Sequence, residues 1–347
     1  MSEEMWAAIL YKPRDLRVER TKIPKIGEEE VLIRVRAVGI CKSDVHYYET
    51  GRCGGFIVRE PLILGHECSG EVVKVGRKVK HLEIGDRVAV EPGFPCRRCA
   101  YCKSGRYNLC KEMRFYGTPP VNGCFSEYVA ADGDLVYRLP EAMSFEEGAL
   151  LEPLSVGLHA ARRGGVKPGH AVAVLGAGPI GLITIQAVRA FGASLIISTD
   201  KIDYLLDKAK SLGADVTINV DEEDVPRRVL EETDGEGVDV VIEASGSPAA
   251  LRQAVEIVRR GGVIVQVGIF PKPEVPLKVT DFVDKEIELR GSFRYVNTYP
   301  TAIKLVKAGS IRLKELVTHT VELRDIVKGF EMVSKKAGGV IKVIVKP

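Results

Sequence analysis

The residue types most suggestive of chemistry lie in three short segments of the first half of the chain. Cys41, Gly65-His66-Glu67 and Glu152-Pro153 together offer a thiolate, an imidazole and two carboxylates. A catalytic zinc ion takes three protein ligands, usually from Cys, His and Glu or Asp, and keeps one position open for water or substrate. The alternative is a buried cysteine, a core histidine and two surface carboxylates. Because a glycine-rich loop follows at Gly176–Gly181, the set favours metal-assisted hydride transfer from an alcohol.

A second group of cysteines predicts a metal site of a different kind. Its members, separated by two, two and seven residues, are Cys96, Cys99, Cys102 and Cys110. Four thiolates at this spacing can surround a tetrahedral zinc ion and leave no position for substrate, so we expect a structural zinc. Disulfides are one alternative, and an iron–sulfur cluster is another, although the spacing differs from that of bacterial ferredoxins. The remaining cysteines, Cys53, Cys68 and Cys124, are expected to be buried or free thiols.

The glycine-rich loop predicts a dinucleotide site. Gly176-Ala177-Gly178-Pro179-Ile180-Gly181 follows an apolar run and opens a helical pattern. The first glycine permits the tight turn, the second lets the backbone approach a pyrophosphate, and the third allows close packing of helix against strand. Free N–H groups at the start of the helix would bind the phosphates. An ordinary strand-to-helix turn is the alternative.

Asp200 predicts which dinucleotide binds. It ends the next apolar run, 19 residues beyond Gly181. A carboxylate there can accept hydrogen bonds from the adenosine ribose and would repel a 2′-phosphate, so the sequence favours NAD over NADP. Lys201 and Lys208 lie nearby and could soften that preference. A helix cap is the alternative role for Asp200.

Composition argues against several other classes of protein. The chain has 347 residues, of which 45% are hydrophobic, and a formal net charge of +3. Because this charge is small and no long run of Lys or Arg occurs, nucleic acid is not expected as a partner. The first ten residues do not resemble a secretory signal, and no stretch of about 18 apolar residues predicts a membrane span. Eight cysteines are then better explained as metal ligands or free thiols, and a cytoplasmic location is expected.

The elements that must position these residues change in character near residue 170. Up to about Leu151, short β-branched runs between Gly, Pro and Asp predict an irregular, barrel-like β domain. From Ala171, near-continuous apolar runs alternate with helical patterns, which predicts a doubly wound parallel sheet in an α/β domain. The predicted strands are Val31–Val38, Gly70–Val75, Asp86–Val90, Ala171–Leu175, Leu195–Thr199, Val216–Val220, Val238–Ala244 and Val263–Val267. The predicted helices are Ile180–Ala190, Tyr204–Leu212 and Ala249–Arg259.

The pattern becomes mixed again after Gly291. A helix is predicted near Ala302–Lys307 and a last strand near Ile341–Val345. We expect this tail to return to the first domain and to make it discontinuous. The predicted catalytic domain therefore covers residues 1–153 and 295–347, and the predicted nucleotide-binding domain covers residues 154–294. Two domains are the usual outcome for a chain of this length.

Five segments resemble the zinc-dependent medium-chain dehydrogenases, and the likeness extends over nearly the whole chain. It is strongest to the polyol-oxidising branch, which includes the sorbitol dehydrogenases. The segments are Ser43–Arg52, Leu64–Glu67, Gly117–Pro120, Leu151–Gly157 and Phe293–Thr298. The Gly-His-Glu motif is shared across the superfamily, whereas Glu152–Gly157 and Phe293–Tyr295 resemble the polyol branch specifically. The resemblance implies a GroES-like catalytic domain, a Rossmann domain, NAD, two zinc ions per chain and a homotetramer.

The resemblance also implies roles for individual residues. Cys41, His66 and Glu67 would be direct ligands of the catalytic zinc, and Glu152 would bind it directly or through water. The catalytic residues would be Ser43 and His46, which relay the alcohol proton, and Glu152. The polyol site would be lined by Tyr47, Phe115, Thr118, Glu152, Arg294 and Tyr295. The cofactor site would comprise Gly176, Gly178, Pro179, Ile180, Gly181, Asp200, Lys201, Val267, Gly268, Ile269, Ser292, Phe293 and Arg294.

Two residues depart from the family pattern, and three of the residues named above have an alternative structural role. Lys42 stands where the family usually has glycine, and Leu205 stands where polyol enzymes can carry an arginine near the adenosine. His46 could be a loop histidine, Ser43 a helix cap and Arg294 a member of a surface ion pair.

The leading functional prediction is oxidation of a secondary hydroxyl of a sorbitol-like or xylitol-like polyol to the ketose, with hydride transfer to NAD. A different zinc-dependent alcohol dehydrogenase, such as L-threonine 3-dehydrogenase, is the nearest alternative, and the polyol-type segments argue against it. A catalytically silent nucleotide-binding protein is the remote alternative, which the intact ligand set disfavours.

Overall fold

Strands dominate the first 150 residues of the computed structural model, which describes residues 3–270, 272, 274–336 and 338–347. The strands here are β1 (Glu4–Lys12), β2 (Asp15–Lys22), β3 (Glu30–Gly39), β4 (Arg52–Cys53), β5 (Phe56–Ile57), β6 (Leu62–Ile63), β7 (Glu67–Val75), β8 (Arg87–Val90), β9 (Gly93–Phe94), β10 (Arg114–Phe115), β11 (Tyr128–Asp132) and β12 (Val136–Arg138). The α-helices are α1 (Lys42–Thr50), α2 (Ala100–Lys103) and α3 (Phe145–Ala149). The predicted strands of this region are present, with the second beginning three residues earlier than expected, at Glu67.

Strands and helices then alternate, as the apolar runs predicted. This region contains α4 (Leu151–Gly164), β13 (Ala171–Leu175), α5 (Pro179–Ala190), β14 (Leu195–Asp200), α6 (Asp203–Ser211), β15 (Val216–Asn219), α7 (Val225–Glu231), β16 (Val238–Glu243), α8 (Pro248–Ile257), β17 (Val258–Gln266), α9 (Val279–Asp284) and β18 (Glu288–Gly291). The tail contains α10 (Tyr299–Lys307), β19 (Val317–Glu322), α11 (Ile326–Lys335) and β20 (Lys342–Lys346).

One predicted helix is too long. The pattern Ala249–Arg259 predicted helix to its end, but α8 ends at Ile257 and the chain continues as β17. Val258 is already extended, with ψ of 135°, and pairs with Val238 of β16. Arg259 forms a 2.7 Å ion pair with Asp239, which is also a residue of β16. Pairing with the neighbouring strand therefore overrides a helical pattern that continues past the last helical residue.

The chain divides into two units. The first comprises Met1–Glu152, Tyr299–Lys307 and Leu313–Pro347, and the second comprises Pro153–Thr298 and Ala308–Arg312. The first unit thus contains both the beginning and the end of the chain. The domain limits expected from the sequence, 153/154 and 294/295, stay a prediction.

The main sheet of the first unit has β3 at its centre. Its order is β12-β8-β7-β3-β20-β19, and β11 also pairs with β3. The last strand, β20, runs antiparallel to β3 and pairs with it at Val38 and Gly39. Glu67, the first residue of β7, pairs with Gly39 from the other side. Three segments that are far apart in sequence therefore meet where β3 ends, two residues before Cys41.

The second unit contains one six-stranded sheet with the order β15-β14-β13-β16-β17-β18. All of its strand pairs are parallel. The order reverses between β13 and β16, which is the doubly wound arrangement that binds dinucleotides at the carboxyl ends of the strands. The predicted fold class, a β-rich GroES-like unit with a Rossmann unit, is confirmed.

Each unit has its own buried apolar cluster, the first around β3, β7, α1 and α11 and the second around the parallel strands and α8. Among the described residues, none of the helices has the length and apolar character that a membrane crossing requires.

Candidate metal and nucleotide sites

Cys41 lies at the start of α1 and is fixed by the helix that follows it. Its backbone is extended, with φ of −89° and ψ of 151°, which is the geometry of a residue preceding a helix. Its N–H donates to Oδ2 of Asp44 over 3.0 Å. Asp44 is fully buried. The backbone of Cys41 is thus held to a carboxylate that belongs to the same helix.

A glycine turn brings His66 and Glu67 towards Cys41. Gly65 has φ of +92°, and a Cβ there would lie 2.9 Å from the ring of Phe125. Glu67 begins β7 directly after the turn. Its carboxylate lies over Gly39, where a Cβ would be only 2.0 Å from Oε2. Glycine therefore suits the left-handed turn at Gly65, and at Gly39 it leaves the space that the Glu67 carboxylate fills.

The three side chains converge. The Cys41 thiol, a His66 ring nitrogen and a Glu67 carboxylate oxygen lie within 4.8 Å of one another. Ligands bound tetrahedrally at about 2.0–2.3 Å from zinc lie about 3.3–3.8 Å apart, so small adjustments suffice for all three to bind one ion. One soft thiolate, one imidazole and one carboxylate form a typical donor set for a catalytic zinc. The residues fit the metal that the sequence predicted, and their assignment as ligands stays a prediction.

Asp44 orients the imidazole, a role that sequence reasoning missed. Its Oδ1 lies 3.5 Å from Nδ1 of His66 and accepts a 3.2 Å hydrogen bond from the Gly65 N–H. A carboxylate behind a histidine ligand fixes the ring and raises its basicity. Burial alone would lower the pKa of His66, but Asp44 and Cys41 outweigh it and raise that pKa well above its ordinary value. The same negative surroundings favour a metal cation, which would compete with the proton for this site.

Lys342 is the second residue that sequence reasoning missed. Its ammonium nitrogen lies 2.7 Å from each oxygen of Glu67 and 3.2 Å from the Ile40 carbonyl oxygen. Burial lowers the pKa of Lys342, but Glu67 and Cys41 outweigh it, so the pKa is raised. The one signal in the sequence is a lysine inside the apolar run Val340–Val345, where a two-sided buried strand is predicted.

Three of the residues predicted to bind the polyol lie around this centre in the same unit. Tyr47 is buried, and its hydroxyl is hydrogen-bonded to Thr118. The ring of Phe115 contacts the His66 imidazole, with 5.6 Å between centroids. The neighbourhood of the metal ligands is therefore aromatic and hydroxyl-rich. This composition suits a neutral, hydroxylated ligand.

The remaining catalytic candidates lie on two helices. Ser43 and His46 are three residues apart in α1, so they share one face of that helix. Lys42, the departure from the family pattern, is exposed beside them. Glu152, in the first turn of α4, is 6% exposed, and its charge helps to raise the pKa of Lys342. Glu152 thus belongs to the electrostatic environment of the same centre.

Arg294 and Tyr295 lie in the second unit. Arg294 has a left-handed backbone, with φ of +52°, and its guanidinium lies over the Phe293 ring at 5.0 Å. Tyr295 is 3% exposed. Their assignment to the polyol site stays a prediction.

The cysteine lobe has the geometry of a closed site. The four sulfurs of Cys96, Cys99, Cys102 and Cys110 lie within 4.8 Å of one another. The Cys99–Cys102 and Cys96–Cys102 sulfur distances are 3.5 and 4.0 Å. These are too long for disulfides, at about 2.05 Å, and close to the ~3.8 Å expected around one zinc ion. N–H donors from Arg98 and Cys99 lower the pKa of the Cys96 thiol to about 7, which favours the thiolate that a metal needs.

The glycine-rich loop has the conformation that its sequence predicted. Gly176 has φ of +99°, Gly178 is the N-cap of α5, and Pro179 is its first residue. A Cβ on Gly181 would lie 1.8 Å from the carbonyl oxygen of Gly176, so helix and strand can approach this closely only with glycine there. With β13 beside the switch point of the sheet, the loop leads into the N-terminus of α5, which is where a pyrophosphate binds in this arrangement.

Asp200 is the last residue of the adjacent strand, β14, and contacts the loop directly. Its Oδ2 accepts a 2.8 Å hydrogen bond from the Ala177 N–H, and its Oδ1 accepts one of the same length from the Lys201 N–H. The carboxylate therefore serves both as a brace of the loop and as an acceptor at its edge. Leu205, the second departure from the family pattern, is buried in α6 at 3% exposure.

Glu243 organises the opposite side of the nucleotide site and was not predicted. It is fully buried at the end of β16, and its carboxylate accepts from the N–H groups of Ser245 and Gly246 over 2.8 and 2.9 Å. Its carbonyl oxygen accepts from the N–H groups of Val267 and Gly268, both over 2.9 Å. Of the other predicted cofactor residues, Ile269 continues this segment, and Ser292 follows the neighbouring strand.

Comparison with known proteins agrees with this geometry. Residues 27–141 match the family model described as the alcohol dehydrogenase GroES-like domain, and residues 179–308 match the zinc-binding dehydrogenase model. Sorbitol dehydrogenase of Bacillus subtilis is 45% identical over 345 residues, covering 99% of this chain and 98% of that protein. L-Idonate 5-dehydrogenase of Vitis vinifera is 42% identical, covering 99% and 94%. An Escherichia coli oxidoreductase of unknown specificity superposes with a TM-score of 0.95 at 39% identity, covering 99% of each chain.

The chain therefore belongs to the zinc-dependent medium-chain dehydrogenases, as its motifs predicted. It is an oxidoreductase that acts on alcohols with NAD and zinc.

Replacing Asp200 by alanine tests the basis of cofactor choice. The unmodified protein should use NAD at least about 100-fold better than NADP in kcat/KM, because a carboxylate facing a 2′-phosphate is strongly unfavourable. Asp200→Ala should narrow this ratio and also reduce kcat/KM with NAD, since the brace on Ala177 is lost. Asp203→Ala, which removes a neighbouring carboxylate bonded to Asn219, should leave the ratio unchanged. Equal use of NAD and NADP by the unmodified protein would refute the carboxylate argument.

Proposed function

We propose that this protein oxidises a secondary hydroxyl of a small polyol, of the sorbitol or xylitol type, to the corresponding ketose with NAD as hydride acceptor. The observation that carries the proposal is the convergence of Cys41, His66 and Glu67 within 4.8 Å, with Tyr47, Phe115 and Thr118 around them. When bound, zinc supplies a Lewis acid for the substrate oxygen, and NAD supplies the acceptor for the hydride.

The charges around the centre suit a neutral substrate. Cys41 as a thiolate and Glu67 as a carboxylate contribute two negative charges among the three proposed ligands. A divalent ion held by these two groups and a neutral His66 would bring the ligand set to neutrality. A polyol can then enter and a ketose can leave without creating an unpaired buried charge.

Tyr47 acts as a hydrogen-bonding group and not as a base. Burial and the nearby Cys53 thiol raise the pKa of Tyr47 to about 12. The phenol therefore stays protonated near neutral pH, where it can donate to and accept from substrate hydroxyls. Its bond to Thr118 fixes its orientation. Tyr47 and Thr118 would select hydroxylated chains over unsubstituted alcohols.

Ser43 and His46 provide the outward route for the alcohol proton. Burial and the Lys42 ammonium lower the pKa of His46 below its ordinary value of 6.5. The imidazole is therefore neutral at pH 7 and can accept a proton. Because the accepting form is lost on acidification, oxidation should slow as the pH falls through this lowered pKa.

We also propose that the protein works as a cytoplasmic homotetramer. Likeness to the polyol dehydrogenases supports the assembly, and the predicted reduced state of eight cysteines supports the compartment. Light scattering on the purified protein tests the assembly.

A substrate panel tests the proposed activity. NAD reduction should be rapid with sorbitol or xylitol and at background level with L-threonine, because the centre offers neutral hydroxyl partners for the substrate. Removing zinc with a chelator should abolish the activity, and zinc should restore it. Preference for L-threonine would replace polyol by amino-alcohol oxidation, and inactivity with every alcohol after zinc loading would favour a silent nucleotide-binding protein.

Glu152→Gln tests the assignment of the two carboxylates. Glutamine keeps the size of the side chain but loses its charge and gains donors. We expect near-normal zinc content and a fall in kcat/KM of about 10²–10⁴-fold, as is usual when a positioned acid–base group is removed. Glu67→Gln should instead lose the catalytic zinc. Zinc loss in Glu152→Gln together with retention in Glu67→Gln would show that the assignments must be exchanged.

A further inference from the structure

Lys342 is a buried cation whose ammonium contacts Glu67, one of the proposed metal ligands. The residue is 3% exposed and Glu67 is 1% exposed. The ammonium lies 2.7 Å from each Glu67 oxygen and 3.2 Å from the Ile40 carbonyl oxygen. An ammonium has three N–H donors, and these three acceptors use all of them. All three N–H donors of the ammonium are therefore directed to acceptors at the end of β3 and the start of β7.

Lys342 and a metal ion would share the same ligand. A carboxylate has about four lone-pair sites on its two oxygens, so Glu67 can bind a cation while it still accepts from Lys342. Both oxygens, however, already face the ammonium, and a metal must take one of them. The lysine also places a positive charge close to where a divalent cation would bind, which opposes the cation.

The lysine has a second effect when the metal is absent. Glu67 without a partner would be a buried, unpaired carboxylate, which is strongly destabilising. Cys41 and Glu152 add negative charge to the same surroundings, as their contribution to the raised pKa of Lys342 indicates. The ammonium supplies the compensating charge in the metal-free protein.

We propose that Lys342 is a positioning residue that competes with zinc for Glu67. It keeps the metal-free centre folded, and it sets the zinc affinity below what Cys41, His66 and Glu67 alone would give. This inference rests on the proposed zinc centre. It assigns a function to a residue that neither binds the metal nor touches the substrate.

Lys342→Met tests the competition. Zinc affinity is measured by competition with a chromophoric chelator, and Cys41→Ser identifies which phase of zinc release belongs to this centre. We expect Lys342→Met to bind that zinc at least about tenfold more tightly, because a nearby positive charge is removed, and to melt at a lower temperature than the unmodified protein when metal-free. Lys342→Arg keeps the charge and should restore the unmodified zinc affinity.

Two further variants keep the test decisive. Lys346→Met removes an exposed lysine of the same strand, which pairs with Glu146 over 2.9 Å, and should change neither property. If Lys342→Met does not fold without metal, the double variant Glu67→Gln/Lys342→Met should do so, because both buried charges are gone.

Weaker zinc binding by Lys342→Met would overturn the proposal and make the lysine a template that aims Glu67 at the metal. Unchanged zinc affinity would also overturn it and leave a purely structural ion pair. A separate result would be that Cys41→Ser releases zinc in the same phases as the unmodified protein. That result would show that the proposed metal centre itself does not exist.

Discussion

A carboxylate that is removed from water must be paired with a cation. The first unit is arranged around such a paired carboxylate. Glu67 is 1% exposed at the first residue of a central strand. Breaking a buried ion pair by removing one partner typically costs about 3–5 kcal/mol, because the other charge is left unpaired. Lys342 meets this requirement from the last strand of the chain, and a metal ion at Cys41 and His66 would meet it from the other side. The location of Glu67 thus links the last strand of the chain to the proposed metal centre.

This requirement explains why the first unit contains both ends of the chain. β3 and β7 bring Gly39 and Glu67 together, and β20 must pair with β3 to place Lys342 beside them. Gly39 has no side chain, so the Glu67 carboxylate can lie over it. The last strand, β20, belongs to the first unit and carries Lys342 to the Glu67 carboxylate.

Residues with a local pattern could be predicted, and residues whose role depends on distant contacts could not. Gly176–Gly181 lies within one strand–turn–helix segment, so spacing alone predicts the roles of its glycines and of the following Asp200. The parallel strands could also be predicted locally, because strands covered on both faces have near-continuous apolar runs. The four lobe cysteines are also close together in sequence, so their spacing alone predicts a shared metal.

By contrast, Lys342 is 275 positions from Glu67, and no spacing rule connects them. Asp44 and Glu243 resemble many other acidic residues until the fold removes them from water. Helix α8 shows the same limit, because pairing of Val258 with β16 ends a helix that the pattern alone would extend.

We infer that one ion is held jointly by Cys41, His66 and Glu67 while Lys342 keeps its contact with the same carboxylate. Anomalous diffraction at the zinc edge, from crystals of the zinc-loaded protein, would locate each ion and its ligands. We expect two peaks per chain, one among the four lobe sulfurs and one bonded to the Cys41 sulfur, a His66 ring nitrogen and a Glu67 oxygen, with the other Glu67 oxygen still on Lys342. A second peak ligated by Cys41 and His66 while both Glu67 oxygens remain on Lys342, or no second peak at all, would contradict it.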